Sequence, residues 1–371
     1  KNSLDYEIGQ NIYNYFKDNN EIEKIIISNN KIKQNIPDTD DIYKFYRQGK
    51  RTLVVGVKKG MKFQSCKPSA NWQLPLYSGC MGQCQYCYLN TNLGDKPYIK
   101  VNVNVDDILN QAQQYINERL PLKTVFEGSA TSDPLPLEPY TNSLKRTIQF
   151  FANNPNGSFR FVSKYSDVDT LLDIEHKGKT EIRFTLNTQK VIDNYENATA
   201  AIKLRLGAAK KVAEAEYPLG FIIAPVFIYE GYKEDYKKLL LNLKETLPEN
   251  LKHTLTFEVI SHRYTTRAKN IITQVFPDTT LPMNDEERKE NKLPKIYDVP
   301  LTEIDDFPDH PFKVKIDEDM EQLVESIKQR GVITPVTLRE KEDGRYELIS
   351  GHRRKKACEI AGLETIKAEI K

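Results

Sequence analysis

The sequence predicts an α/β protein: a partial, TIM-like (β/α)6 barrel behind a helical cap, followed by a small α+β domain. Two observations carry that reading. Six short apolar or β-branched runs recur through the middle of the 371-residue chain, separated by stretches with helical patterning. Strands that are apolar almost throughout belong to a parallel sheet with helices outside it. A second pattern, an amphipathic helix, two short strands and another helix, begins only after a charged, proline-bearing break.

Residues 1–50 are polar and helix-prone, and Ile8, Ile12, Tyr15 and Phe16 are spaced like one apolar helical face, so a helical cap is expected there. Residues 53–57 read as a strand, and residues 74–77 as a strand running straight into a cysteine-rich loop. Residues 107–120 read as a helix whose acidic start suits the helix dipole. Further strands are expected at 124–127, 159–163, 182–186, 220–227 and 255–260, with helices at 140–153, 198–215 and 233–246 between them. Counting the strand before the cysteines gives six βα units. In such a barrel the active-site residues lie at the C-terminal strand ends. The barrel is expected over 51–290, a linker over 291–300 around Pro294 and Pro300, and the second domain over 301–371. That domain should hold a helix at 318–330, strands at 336–338 and 346–349 around an Asp343-Gly344 turn, and a helix at 353–361.

Composition sets outer limits. A hydrophobic share of 39% and an aromatic share of 10% suit a globular chain. No apolar run approaches the roughly 18 residues of a membrane span. A net charge of +2 permits a nucleic-acid partner without arguing for one. With five cysteines and no secretory signal, a reducing, cytoplasmic setting and no membrane partner are the expectation.

The most specific local signal is Gly79-Cys80-Met81-Gly82-Gln83-Cys84-Gln85-Tyr86-Cys87-Tyr88. Thiolates separated by three and then two residues can converge on three corners of a [4Fe-4S] cube, leaving one iron without a protein ligand. Structural zinc is the competing reading, but it takes four ligands, and neither a second CxxC nor an HxxxH is present. The C-x3-C-x2-C spacing with an aromatic before the last cysteine resembles the radical S-adenosylmethionine (SAM) enzymes, which implies that the open iron takes SAM.

Several runs around this loop together resemble the spore photoproduct lyases of that superfamily. They are Thr52-Leu53-Val54-Val55-Gly56-Val57, Lys67-Pro68-Ser69-Ala70, Lys96-Pro97-Tyr98-Ile99, Thr131-Ser132-Asp133, Phe161-Val162-Ser163-Lys164, Gly220-Phe221-Ile222-Ile223-Ala224-Pro225 and His262-Arg263, spread over residues 1–290. The resemblance implies repair of 5-thyminyl-5,6-dihydrothymine in ultraviolet-damaged DNA. A 5'-deoxyadenosyl radical takes the lesion's C6 hydrogen, the methylene bridge breaks, and a hydrogen donor of the protein quenches the resulting thymine radical. It also implies a flipped-out lesion and a reductant such as flavodoxin or ferredoxin. The matching positions put SAM against Ser132, Lys164, Thr185, Asn187 and Ala224, with Cys80, Cys84 and Cys87 on the cluster. Ser132 and Thr185 could equally do no more than satisfy backbone groups.

The chain departs from that pattern at the hydrogen donor. The family has a cysteine directly before Thr-Ser-Asp, where this chain has Ala130. Cys66 is the spare thiol of the first domain and is the candidate replacement, relayed with Tyr86 or Tyr88. His262, Arg263, Arg267 and Lys269 form a basic cluster suited to DNA phosphates. The family's aromatic, basic hairpin does not follow; the sequence after Lys292 is of another kind.

From about residue 295 the chain resembles the N-terminal domain of ParB proteins, through Pro308-Asp309-His310-Pro311-Phe312, residues 323–331, Ile333-Thr334-Pro335 and Ser350-Gly351-His352-Arg353-Arg354-Lys355-Lys356-Ala357. That likeness implies a CTP pocket with Gly351, Arg353 and Arg354 at a helix start, where free N–H groups favour phosphate, and with Gly331 and Pro335 on the other wall. Two alternatives stand beside the lesion-repair reading: a radical SAM enzyme with another substrate, and a nucleotide-gated, ParB-like DNA-binding accessory.

Overall fold

A computed structural model describes residues 2–27, 41–67, 69–92, 96–128, 130–284, 296–307, 314, 316, 318–332 and 334–370. Residues 291–295 of the linker expected at 291–300 and the Pro308-to-Phe312 motif lie outside these residues, and the rest of that linker is instead a strand, Ile296–Pro300. The chain divides into two compact units, one formed by Lys1–Ile260 with Gln274–Thr280, the other by Ser261–Thr273 with Leu281–Lys371.

The first unit opens with α1 (Glu7–Phe16) and α2 (Ile42–Lys50). Ile8 and Ile12 of α1 are buried, as their spacing predicts, and Asp41 caps α2 by accepting from the N–H groups of Tyr43 and Lys44. Five short strands follow: β1 (Leu53–Gly56), β2 (Ser65–Cys66), β3 (Ala70–Gln73), β4 (Tyr77–Ser78) and β5 (Gln83–Cys84). After α3 (Leu89–Asn92) come β6 (Ile99–Asn102), α4 (Val105–Glu118), β7 (Thr124–Glu127), α5 (Glu138–Thr141), α6 (Ser143–Ala152) and β8 (Gly157–Ser163). The unit continues through β9 (Thr180–Leu186), α7 (Gln189–Tyr195), β10 (Glu196–Asn197), α8 (Ile202–Glu214), β11 (Leu219–Val226), α9 (Tyr232–Thr246) and β12 (Thr256–Ser261), and α10 (Thr266–Val275) follows.

Seven strands form one curled sheet in the order β12-β11-β9-β8-β7-β3-β2. The pairs from β11 through β3 are parallel, and β2 closes the edge antiparallel. The buried face of each strand packs Phe126, Phe159, Phe161, Phe184 and Phe221 into one core with α4, α6 and α8. The alternate residues of four strands carry charge: Glu127 accepts from Arg183 and forms an ion pair with Arg160 at 3.4 Å, and Arg183 reaches Glu258 at 2.8 Å. Buried charge persists only when it is paired in this way.

The expected strand at 74–77 is displaced. The parallel strand before the cysteines is β3, while β4 joins β1 and β6 in a separate three-stranded sheet. Leu74 and Leu76 are buried, but as the connection between two sheets.

The second unit has its own sheet, built from β13 (Ile296–Pro300), β14 (Ile304–Asp306), β15 (Val336–Glu340), β16 (Tyr346–Ser350) and β17 (Thr365–Ile370) in the order β13-β17-β15-β16-β14. Its helices α11 (Glu318–Arg330) and α12 (His352–Ala361) pack together. Met320, Val324, Ile327, Val336, Leu338, Leu348, Ala357 and Cys358 form its core. Among the described residues, no helix is long and apolar enough to cross a membrane.

Candidate active site

The cysteine loop is fixed at both ends by backbone. Gly79 donates its N–H to Thr131 at 2.8 Å and adopts φ +79, and a Cβ there would sit 2.3 Å from the Tyr98 carbonyl oxygen, so glycine is required. At the far end β5 pairs antiparallel with β10, setting Cys84 opposite Glu196. Between them the buried Lys50 ammonium donates to the carbonyls of Cys80 (2.7 Å) and Gly82 (3.0 Å). Asn90 donates to the carbonyls of Cys84 and Gln85 and accepts from Tyr46 at 3.0 Å.

This framework gathers three thiols in a dry place. Burial pushes the Cys80 thiol up to about 12 and likewise raises Cys84 and Cys87; Cys87 adds to the rise at Cys80, and Cys80 and Cys87 add to the rise at Cys84. Lys50 pulls Cys80 and Cys87 back, and Lys164 pulls back Cys84 and Cys87. Such thiols ionise when a metal centre supplies the compensating charge. Among the described residues no three His, Cys, Asp or Glu side chains converge tightly enough to hold a single metal ion. Structural zinc takes four ligands, one more than the three thiols of this loop, whereas a [4Fe-4S] cube takes one thiolate per iron and can leave one iron open, so the donor set suits that cluster.

Glu196 is the hub beside the loop, and nothing local in the sequence marks it. Its side chain is wholly buried and accepts from Lys164 Nζ (2.9 Å), Arg205 Nη2 (2.7 Å) and the Tyr86 hydroxyl. Burial pushes its carboxyl up, but Lys164 and Arg205 outweigh that and hold it at about 2. Lys164 also donates to the Tyr86 hydroxyl at 3.0 Å. Two cations against one carboxylate leave a net positive charge, which fits the carboxylate of an amino-acid ligand. Lys164 is therefore already paired with Glu196.

The other strand-end residues divide. Asp133, next to Ser132, is fully enclosed. It accepts from Ser163 Oγ and from the Lys164 N–H, both at 2.8 Å, and burial pushes its carboxyl up to about 6. Ser132 is buried, leans toward the Gly128 carbonyl at 3.4 Å and bridges to Gly79. Thr185 is buried on β9, its carbonyl held by Arg205 at 3.0 Å. Ala224 lies half-buried near the end of β11. Asn187 is enclosed: its amide donates to the Pro225 carbonyl and its oxygen accepts from Tyr236 and from the Thr188 N–H. Those bonds tie the ends of β9 and β11 together at Asn187.

Cys66 is half-buried on the edge strand β2, opposite Ala70. Tyr88, about half exposed at 49%, donates its hydroxyl to the carbonyl of Ala130, the position at which the expected thiol is missing. Tyr86 faces the other way, into the Glu196 hub. The two tyrosines are thus separated in role by their partners.

The basic cluster near residue 262 does not present itself as a single phosphate-binding face. His262 is buried with its ring tilted against that of Tyr264, centroids 5.7 Å apart, Arg263 pairs with Glu369 at 3.3 Å, and Lys269 donates to the Met283 carbonyl at 2.7 Å. Arg267 remains exposed. In the second unit Gly351 begins α12 with φ +105. Arg354 donates from Nη1 to the carbonyls of Thr334 (2.7 Å) and Pro335 (2.6 Å), which clamps the two segments together. Arg353 lies in the first turn of α12, half-buried.

Comparison with known proteins bears on both units. A family model described as spore photoproduct lyase matches residues 1–297, and one described as the ParB N-terminal domain matches 284–371. The spore photoproduct lyase of Clostridium acetobutylicum is 48% identical over 289 residues, covering 78% of this chain and 84% of that protein. A spore photoproduct lyase double mutant, solved with AdoMet and dinucleoside spore photoproduct bound, aligns with a TM-score of 0.69 at 42% identity over 78% of this chain and 90% of its own. A tyrosine-to-phenylalanine mutant of spore photoproduct lyase aligns at 0.72 with the same identity and coverage.

Proposed function

The chain belongs to the spore photoproduct lyase family and is a radical SAM enzyme acting on the spore photoproduct in DNA, and from that membership we propose how its own residues divide the work. When bound, the cluster and SAM supply the 5'-deoxyadenosyl radical that removes the lesion's C6 hydrogen. In this reading Cys80, Cys84 and Cys87 hold the cluster. The paired cations Lys164 and Arg205 fix Glu196 and orient the SAM carboxylate, and Ser132, Thr185 and Ala224 line the rest of that site. Binding and orientation by the protein, with water kept out, are what such a cofactor requires.

The product radical on the thymine methylene needs a weak X–H bond. We assign it to Cys66: its S–H bond breaks homolytically, a C–H bond forms on thymine, the thiyl left behind is refilled from a tyrosine O–H, and the tyrosyl in turn takes back the hydrogen atom that 5'-deoxyadenosine received from the lesion. Tyr88 suits that relay better than Tyr86, because the Tyr86 hydroxyl is held in the charged hub. The observation that carries this assignment is one of spacing. The solved double mutant exchanges a cysteine for alanine and, upstream, a serine for cysteine, separated along the chain as Ala130 and Cys66 are here. The tyrosine of the other solved mutant stands at the separation of Tyr88 from Ala130.

The test is anaerobic turnover of cluster-loaded protein with SAM, dithionite and the dinucleotide lesion. Thymine release with little accumulation of 5'-deoxyadenosine supports lesion repair, whereas 5'-deoxyadenosine without thymine points to a different substrate. A protein reductant of the flavodoxin or ferredoxin type and a reducing, cytoplasmic setting follow from a cluster that must be reduced before each cleavage. We further propose that Arg267 is the residue of the expected DNA cluster left to meet phosphate. In the ParB-like unit, the N–H groups after Gly351 together with Arg353 are our candidates for a nucleotide triphosphate such as CTP. Calorimetric titration of CTP into wild type and Arg353→Ala tests that assignment, and equal binding by both would remove it.

A further inference from the structure

Beside the cap helices of the first unit runs a groove of about 2560 Å³ that reaches the cysteine loop. Its wall includes Lys50, which donates to the carbonyls of Cys80 and Gly82, and Met81, which stands between them in sequence. None of Cys66, Tyr86, Tyr88, Ser132 or Lys164 lines it. The groove therefore meets the cysteine loop at Met81, with none of Cys80, Cys84 or Cys87 in its wall, and lies apart from the residues assigned to SAM and to hydrogen donation.

Its charge is one-sided, with eight basic side chains against two acidic ones, Glu21 and Glu23. Lys24 is spent on the carbonyls ending α1, and Lys44 lies 3.7 Å from Asp41. Among the described residues, Arg47, Arg51, Lys58, Lys59 and Lys100 have no carboxylate partner, and Arg51 and Lys59 are exposed. Burial lowers the Lys58 and Lys100 ammonium groups, and Lys58 and Lys96 lower Lys100 further, as in a cationic face that lacks its anion.

We infer that this groove is the docking face for an acidic one-electron carrier protein, which delivers its electron to the cluster through the Lys50–Met81 wall. The inference rests on the radical SAM reading above. One electron leaves the carrier and one is gained at the cluster, so no other co-reactant is needed. Complementary charge is the usual means of steering such short-lived encounters. A groove of this size, opening on a loop of three buried thiols, suits a macromolecule more than a small reductant.

Arg47→Glu, Arg51→Glu and Lys59→Glu are combined in one variant, since all three side chains are exposed and outside the machinery assigned above. Three measurements are compared with wild type: thymine formation driven by reduced flavodoxin, the same driven by dithionite, and anisotropy titration of labelled flavodoxin against the cluster-free chain. The expected result is a loss of at least about tenfold in flavodoxin-driven turnover and in flavodoxin affinity, with dithionite-driven turnover unchanged. Unchanged flavodoxin binding overturns the inference. So does a variant that loses lesion-DNA affinity while keeping flavodoxin affinity, because the face then belongs to nucleic acid. If wild type makes no thymine even with dithionite, the enzymatic reading fails, while the titration against cluster-free chain still decides the docking face. Lys59→Glu alone, with the least disturbance of the fold, should move the flavodoxin affinity the same way by a smaller factor.

Discussion

At the scale of single residues, the chain combines an alanine where the family carries its hydrogen donor with a thiol on a neighbouring edge strand. Cys66→Ala should therefore leave 5'-deoxyadenosine formation within about twofold of wild type while clean thymine release falls at least about tenfold and misquenched adducts accumulate. Product analysis by mass spectrometry checks this, and clean repair by the variant would return Cys66 to the status of a small packed thiol. Glu196→Gln gives a second residue-scale expectation. The substitution leaves Lys164 and Arg205 buried around an amide, and breaking such a pair costs about 3–5 kcal/mol. Denaturant unfolding of the cluster-free protein should show that loss, and an unchanged midpoint would mean that the hub does not hold the fold. The three cluster cysteines and Cys66 were legible in sequence because their spacing and their rarity are local. Glu196 was not, since a lone glutamate between Tyr195 and Asn197 acquires its meaning only from Cys84, Lys164 and Arg205, all distant along the chain. At Asn187 and His262 residue type suggested a ligand contact, and the burial and bonds that tertiary structure gives them had no local signal.

At the scale of elements, the long apolar strands β8, β9 and β11 and the helices α4, α8 and α9 stood where periodicity put them, within a few residues. The two-residue strands β2, β4, β5 and β10 had no readable pattern, and two of them, β5 and β10, position the cluster loop. The misplaced strand before the cysteines has the same origin, since a short run such as Leu74 to Tyr77 is equally apolar whether it pairs within a sheet or passes between two. One junction of elements carries its own prediction. Glu138 starts α5 and accepts from the N–H groups of Leu144 (2.7 Å) and Lys145 (2.9 Å) at the start of α6. Burial pushes its carboxyl up to about 7, against the lowering pull of those N–H groups. The folded chain thus holds this proton where the unfolded chain, with an ordinary value of 4.5, has lost it. The corresponding stability is full below about 4.5 and is lost as pH rises through about 7, a swing of about 2–3 kcal/mol. Glu138→Gln should flatten that part of the profile. Unfolding midpoints of both proteins at about pH 5 and about pH 8 test it, and parallel profiles would contradict the assignment.

At the scale of the whole molecule, the composition break between the two patterns was plain in sequence, whereas strands β13, β14 and β17 of the second unit were not. Those strands supply Val299, Ile304, Ile366 and Ala368 to that unit's core, interleaved with helices by pairings that join distant segments. Each unit has a hydrophobic core of its own, and every residue assigned here to the cluster, to SAM and to hydrogen donation lies in the first. Damage confined to the second core should therefore leave radical generation alone. Leu338 is fully buried in that core, among Val336, Leu348 and Ala368. Leu338→Ala removes its packing and should cost the second unit about 2–5 kcal/mol. Calorimetric melting reads that loss, and 5'-deoxyadenosine formation with SAM and dithionite reads the first unit. The expectation is a lowered transition for the ParB-like unit with unchanged cleavage of SAM. Loss of both together would mean that the first unit depends on the second to hold its cluster loop, and the division of labour proposed here would fall. If SAM cleavage persists but lesion DNA is bound more weakly, the ParB-like unit contributes to holding substrate, the task left open by a chain whose expected DNA cluster is already engaged in internal contacts at Arg263 and Lys269.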